Sequence, residues 1–257
     1  MISWERNINI KSANELALMR EAGRINAETL AAVRQAIAPG VTTVELNEVA
    51  EAVQRKYGVY SPFKNYPGPY PYPASICTSI NEELVHGIPG KRKLREGDIV
   101  SVDCGTVCEG FVGDSAFTVG VGEISAKAHQ LIEVTKQALE IATALMVSGN
   151  HTGDIGTAIQ KHVESHGYHV TRTYTGHGVG RAMHEGPQVP NYGKPGQGLR
   201  LREGMTIALE PMVLVGTPLT KVTRDEWTVV SHDGSLTAHY ENTIAVTANG
   251  PLILTEG

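Results

Sequence analysis

The chain has 257 residues, 41% of them hydrophobic and 19% charged, which is enough to bury a sizeable core. Its 22 Lys and Arg against 27 Asp and Glu leave a net charge of −5, so bulk charge does not suit it to wrap nucleic acid or an anionic membrane. The longest mainly apolar run, Ile141 to Val147, is far short of the roughly 18 to 20 residues that span a bilayer. Met1 to Arg6 carries no signal-peptide pattern, so a soluble protein with no membrane partner is expected. Cys77, Cys104 and Cys108 fit neither a paired disulfide framework nor a Cys-x-x-Cys zinc clip, which implies a reducing, cytoplasmic setting.

Ser12 to Glu15 reads as a capping box opening a helix that runs to Ile37, where Pro39-Gly40 stops it. Thr42 to Glu45 repeats the signal, and Leu46, Val49, Ala50 and Val53 form the buried stripe of a second helix ending near Gly58. Tyr66 to Pro73, with four prolines, predicts an irregular surface loop. Beyond Gly122 a second helix pair follows. Leu131, Val134, Ala138 and Leu145 mark one helix ending at Gly149, and Ile155, Ile159 and Val163 mark another ending at Gly167. Each pair precedes a histidine loop, His86-Gly87-Ile88-Pro89 or His184-Glu185-Gly186-Pro187. Each loop precedes the same tetrapeptide, Leu94-Arg95-Glu96-Gly97 or Leu201-Arg202-Glu203-Gly204, and then an apolar strand ending on an acid, Asp103 or Glu210. The shared order predicts an internal duplication: one catalytic domain over 1–257, with pseudo-repeats at about 12–121 and 122–250 and any active site between them. Trp227 to Val230 and Leu236 to Tyr240 flank Asp233-Gly234 and predict a hairpin.

Several acids stand where strands should bury apolar residues. A tight turn at Cys108-Glu109 would pair Val107 with Gly110 and set Asp103 directly opposite Asp114. Opposed like charges destabilise a sheet, so a divalent cation, a shared proton or an exposed acidic edge must account for them. Glu210 and Glu241 likewise interrupt mostly uncharged runs, and His177 sits among Gly176, Gly178 and Gly180, which permit close backbone approach. Four carboxylates would be balanced by two divalent cations, and oxygen-rich ligation with one imidazole suits Mn, Fe, Co or Zn. A paired-metal hydrolytic centre is the chemistry expected. The Gly-x-Gly-x-x-Gly pattern fails at Met183, Pro187 would disrupt a zincin helix starting at His184-Glu185, and no Gly-x-Ser-x-Gly elbow appears.

With these residues in view, the sequence resembles the type I methionine aminopeptidases of the M24 metallopeptidase family over nearly its whole length. The motifs that carry the likeness are Ser79-Ile80-Asn81-Glu82 with His86-Gly87-Ile88-Pro89, Asp103 with Asp114, Thr175 to Gly180 with His184-Glu185, Glu210-Pro211, and Glu241-Asn242-Thr243. The resemblance implies an α+β pita-bread fold, two pseudo-symmetric α/β halves around a curved antiparallel sheet. It implies two divalent ions held by Asp103, Asp114, His177, Glu210 and Glu241, with Asp114 and Glu241 bridging. Glu210 would relay the proton of the attacking water to the departing amine. His184 would stabilise the oxyanion and His86 would hold the scissile peptide. Cys77, Tyr72 and Trp227 resemble the lining of the methionine pocket, to which Met183 belongs in place of the family's common Phe. The activity implied is removal of the initiator methionine from peptides and nascent chains at the ribosome when the second residue is small, by a monomeric enzyme. This chain, beginning Met1-Ile2, would keep its own. The fold also serves Xaa-Pro aminopeptidases and prolidases, and non-catalytic binding proteins that have lost ligands. Such peptidases usually carry an additional N-terminal domain, and all five ligand positions are filled here.

Overall fold

The computed structural model describes residues 8–256, so the expectations placed on Met1 to Arg6 lie outside the described residues. Helix α1 (Ala13–Ala36) starts as the sequence predicts: the Ser12 hydroxyl accepts from the Glu15 amide, and the Glu15 carboxylate accepts from that of Ser12. Thr42 and Glu45 make the same reciprocal cap on α2 (Thr43–Tyr57), which Gly58 ends in the left-handed region at φ 67°. The second pair is α3 (Ala126–Ala144) and α4 (Thr152–Ser165). Helix α3 stops short of Gly149. The Leu145 and Met146 amides bond three residues back, to Ala142 and Thr143, which tightens the last turn and leaves Met146 fully buried.

Among the described residues, fourteen strands accompany these helices. They are β1 (Ile76–Ile80), β2 (Glu83–Val85), β3 (Ile99–Cys108), β4 (Phe111–Gly120), β5 (His169–Val170), β6 (Thr175–Gly178), β7 (Glu185–Pro190), β8 (Thr206–Leu209), β9 (Met212–Leu214), β10 (Thr220–Val222), β11 (Val229–Ser231), β12 (Thr237–His239), β13 (Glu241–Thr247) and β14 (Gly250–Ile253). The main sheet runs β1-β3-β4-β13-β8-β6-β7, with β14 also on β13, and its neighbours are antiparallel. One core joins α1 and α2 to β1, β3 and β4; another joins α3 and α4 to β8 and β13. No helix of the described residues is long and apolar enough to cross a membrane.

Two expectations fail here. The hairpin across Asp233-Gly234 does not form: β11 has β10 and β2 on its two edges, and β12 pairs with β9 in a different small sheet. Gly234, at φ 77°, still turns the chain, but the turn carries it from one sheet to the other. The β3–β4 register is also offset from that expected. Its turn is Glu109-Gly110, both at positive φ (49° and 76°), as a two-residue hairpin turn requires, so Cys108 rather than Val107 closes the ladder, opposite Phe111.

Candidate metal centre

The corrected register alters how the two aspartates meet. Asp103 faces Ala116 and Asp114 faces Gly105, so the carboxylates share a face of the sheet as diagonal neighbours instead of colliding directly. Diagonal pairs stand about 7 to 8 Å apart at the backbone, which leaves room between the carboxylates for something to sit. Gly105 adds to that space: a Cβ there would lie 2.7 Å from the Pro62 ring, which packs against it with Phe63. Asn26 of α1 secures the hairpin from behind. Its amide donates to the carbonyls of Cys104 and Gly113, and its oxygen accepts from Ser115 at 2.7 Å.

The neighbouring strands complete the set. Glu241 opens β13 opposite Ala116, so Asp103, Ala116 and Glu241 form one row across three strands. Thr243 fixes the height of this row by accepting from the Asp114 amide at 3.0 Å and donating to its carbonyl at 2.8 Å. Glu210 follows β8, and His177 on β6 pairs with Ala208 of β8. The Nδ1–H of His177 donates to the Gly178 carbonyl at 3.0 Å, which turns the Nε2 lone pair toward Asp114 Oδ2 at 3.7 Å and Glu210 Oε1 at 3.5 Å. All five expected ligand residues are thus gathered around one cavity of about 260 Å³.

The electrostatics of this cluster are unbalanced as it stands. Burial and then the Asp114 charge push Asp103 well above the usual carboxylate range, and burial raises Asp114 to about 7. Glu210 and Glu241 are raised well above it too, first by burial and then by Asp114. Asp103 Oδ1, Asp114 Oδ1, Glu241 Oε1 and His239 Nε2 are buried without a hydrogen-bond partner. Such atoms are costly in a folded protein unless a proton or cation answers them. Two triads bring a ligand atom from each member within 4.8 Å of the others: Asp114, His177 and Glu241, and Asp103, His239 and Glu241. Oxygen-rich donor sets with imidazole fit divalent cations of the Mn, Fe, Co and Zn kind.

The remaining expected residues line the same cavity, with the exception that the proline-rich loop is not confined to the surface. Tyr72 is buried and forms an apolar wall with Phe63 and Cys77, against which Tyr66, Met183 and Trp227 pack. Burial holds the Cys77 thiol well above its ordinary value, so it presents an uncharged wall. His86, at φ 62°, sets its ring edge-on to Tyr174 and Trp227. His184 lies 4.3 Å from His177 between ring centroids. Glu185 positions the turn beneath it, accepting from the Arg181 and Ala182 amides while paired with buried Lys11 at 2.5 Å. Burial lowers both His86 and His184 to about 4, leaving neutral imidazoles.

Sequence reasoning missed three contributors. Tyr66 brings its hydroxyl within 2.7 Å of His184 Nδ1, a contact made by an irregular loop and invisible to periodicity. Tyr174 lines the cavity just ahead of β6. His239 lies under the acids, and its signal was readable: it precedes Glu241 by two residues, the spacing that puts side chains of an extended segment on one face.

Known proteins resemble this chain along nearly its whole length. The chain matches metallopeptidase family M24 over residues 17–248. It is 53% identical to a methionine aminopeptidase of Clostridium acetobutylicum, covering 96% of this chain and 98% of that one. Among solved structures, a methionine aminopeptidase from Thermotoga maritima superposes with a TM-score of 0.94 at 46% identity, covering 97% of this chain and all of that one. An Xaa-Pro dipeptidase from Bacillus anthracis shares the fold at a TM-score of 0.77 with 22% identity, and this chain covers 62% of it.

Proposed function

From the premise that the chain belongs to metallopeptidase family M24 and acts as a metal-dependent methionine aminopeptidase with the pita-bread fold, we propose that its centre takes two divalent cations on Asp103, Asp114, His177, Glu210 and Glu241. Asp114 and Glu241 would contribute to holding both. The observation that carries this reading is the set of buried, unpartnered acid oxygens facing one cavity. Bound there, such cations supply Lewis acidity, polarising a carbonyl and lowering the pKa of water toward neutrality.

The chain's own groups do the rest. Glu210, its side chain 13% exposed at the edge of the acid cluster, takes the proton of the attacking water on a carboxylate oxygen and returns it to the departing amine. His184 serves the oxyanion. With the Tyr66 hydroxyl donating to Nδ1, the neutral ring carries its proton on Nε2 and offers it to the oxygen that gains charge. His86 holds the scissile peptide, and the methionine side chain lies against Cys77, Tyr72, Trp227 and Met183. Met183 is flexible and tolerates other linear side chains. On this reading residues 12–121 and 122–250 are repeats of one unit within a single catalytic domain. Its substrates are nascent chains met at the ribosome in the cytoplasm, and it works as a monomer on Co, Mn, Fe or Zn.

Two histidine loops close to the reacting carbonyl leave room only for a small second residue, since a misplacement of about 1 Å there can cost 10²-fold. Comparing kcat/KM for Met-Ala-Ser, Met-Ile-Ser and Leu-Ala-Ser, before chelation, after it and after reloading, tests this. Met-Ala-Ser should be cleaved well, the other two poorly, and none without metal. Efficient cleavage of Met-Ile-Ser or Leu-Ala-Ser would overturn the selectivity, and full turnover in demetallated protein would overturn the mechanism.

A further inference from the structure

Beneath the acids lies an imidazole to which five ligands assign no task. His239 ends β12 and is 1% exposed. Its backbone is pinned by a single hydroxyl: Thr118 Oγ1 accepts from the His239 amide at 2.9 Å and donates to its carbonyl at 2.7 Å. The main chain therefore sets where the ring points. It points at carboxylates, with Nε2 3.6 Å from Glu241 Oε2 and 3.8 Å from Glu210 Oε2. Both separations are too long for hydrogen bonds, and Nε2 has no hydrogen-bond partner.

Those lengths suit a different arrangement. Two donors each about 2.1 Å from one ion stand about 3 to 3.6 Å apart, so atoms spaced like these are nearly set to share a cation. The two triads are also built alike. Asp114, His177 and Glu241 form one and Asp103, His239 and Glu241 the other, each with one aspartate of the β3–β4 hairpin, one imidazole and the common Glu241. We propose that His239 Nε2 is a donor to the ion on the Asp103 side, so that each ion has one imidazole and neither is held by carboxylates alone. Imidazole favours Fe, Co and Zn over the harder Mg and Mn, so the second position should share the preference of the first. The proposal rests on the two-ion reading above.

The test uses the full chain, demetallated, titrated with Co(II) and followed by calorimetry and by proton NMR, in which each cobalt-bound imidazole gives one strongly shifted, solvent-exchangeable N–H signal. The wild-type chain should take up two equivalents and show two such signals. His239→Gln, which keeps a polar side chain of similar reach without the ring nitrogen, should show one signal and bind its second equivalent at least about 10-fold more weakly. Two ions bound with a single signal in the wild type would overturn the role of His239 and leave the two-ion reading standing. Uptake of fewer than two ions by the wild type would overturn that reading itself. The wild-type signal count needs no variant, so a misfolded His239→Gln would not shelter the proposal.

Discussion

His177 and His184 are near neighbours whose nitrogens face different things. The former turns Nε2 toward Asp114 and Glu210, whereas Nδ1 of the latter meets the Tyr66 hydroxyl. Their removal should separate accordingly. His184→Ala is expected to keep its metal content and lose about 10² to 10³ in kcat, the worth of a donor aimed at developing charge. His177→Ala should release metal at concentrations that leave His184→Ala fully loaded. Metal analysis beside steady-state kinetics checks both, and equal metal loss in the two variants would contradict the assignment. The acids and these histidines were readable in the sequence because each interrupts an apolar or glycine-rich run. Tyr66 was not, because its contact depends on the path of a loop with no period to read.

The β3–β4 hairpin shows how far one residue of register matters. The mainly apolar runs on either side of Cys108-Glu109 announced two strands, and the sequence also held the cue to their turn. Glu109-Gly110, unlike Cys108-Glu109, puts a glycine at one of the two positions that need positive φ. The expected hairpin at Asp233-Gly234 failed for the converse reason, since its turn formed while other strands claimed both flanking segments. Local signals specify a turn, but which strands then pair depends on edges supplied from distant parts of the chain. The reverse face of the hairpin carries its own constraint. A Cβ on Gly113 would lie 2.7 Å from the backbone nitrogen of Gly23, so helix α1 would have to move, and Asn26 with it. Gly113→Ala should cost about 1 to 3 kcal/mol in denaturant unfolding. It should also weaken metal binding, since Asp114 is the next residue; unchanged stability would mean that α1 is not seated as tightly as this contact implies.

For the molecule as a whole, the consequence of removing metal depends on pH through two opposing sets of groups. Asp103, Asp114, Glu210 and Glu241 are all raised, chiefly by burial. A carboxyl that keeps its proton longer when folded makes stability fall as pH rises from its unfolded pKa through its folded one. Buried histidines act the other way. His86 and His184 are lowered to about 4 and His177 and His239 to about 3, so unfolding lets them take up protons and stability is lost as pH falls below their ordinary 6.5. Between about pH 4 and 6.5 the two sets therefore offset each other. Above 6.5 the histidines are neutral in both states, and only the carboxyls continue to lose protons. Metal-free protein should accordingly drop in Tm as pH rises from about 6.5 to 8.5, whereas the loaded protein, its acids compensated by cations, should stay nearly level. Scanning calorimetry at three pH values across that range, with and without chelator, measures the gap directly. It should widen with pH; a gap that stays constant would mean that the buried carboxyls are not what the metal stabilises.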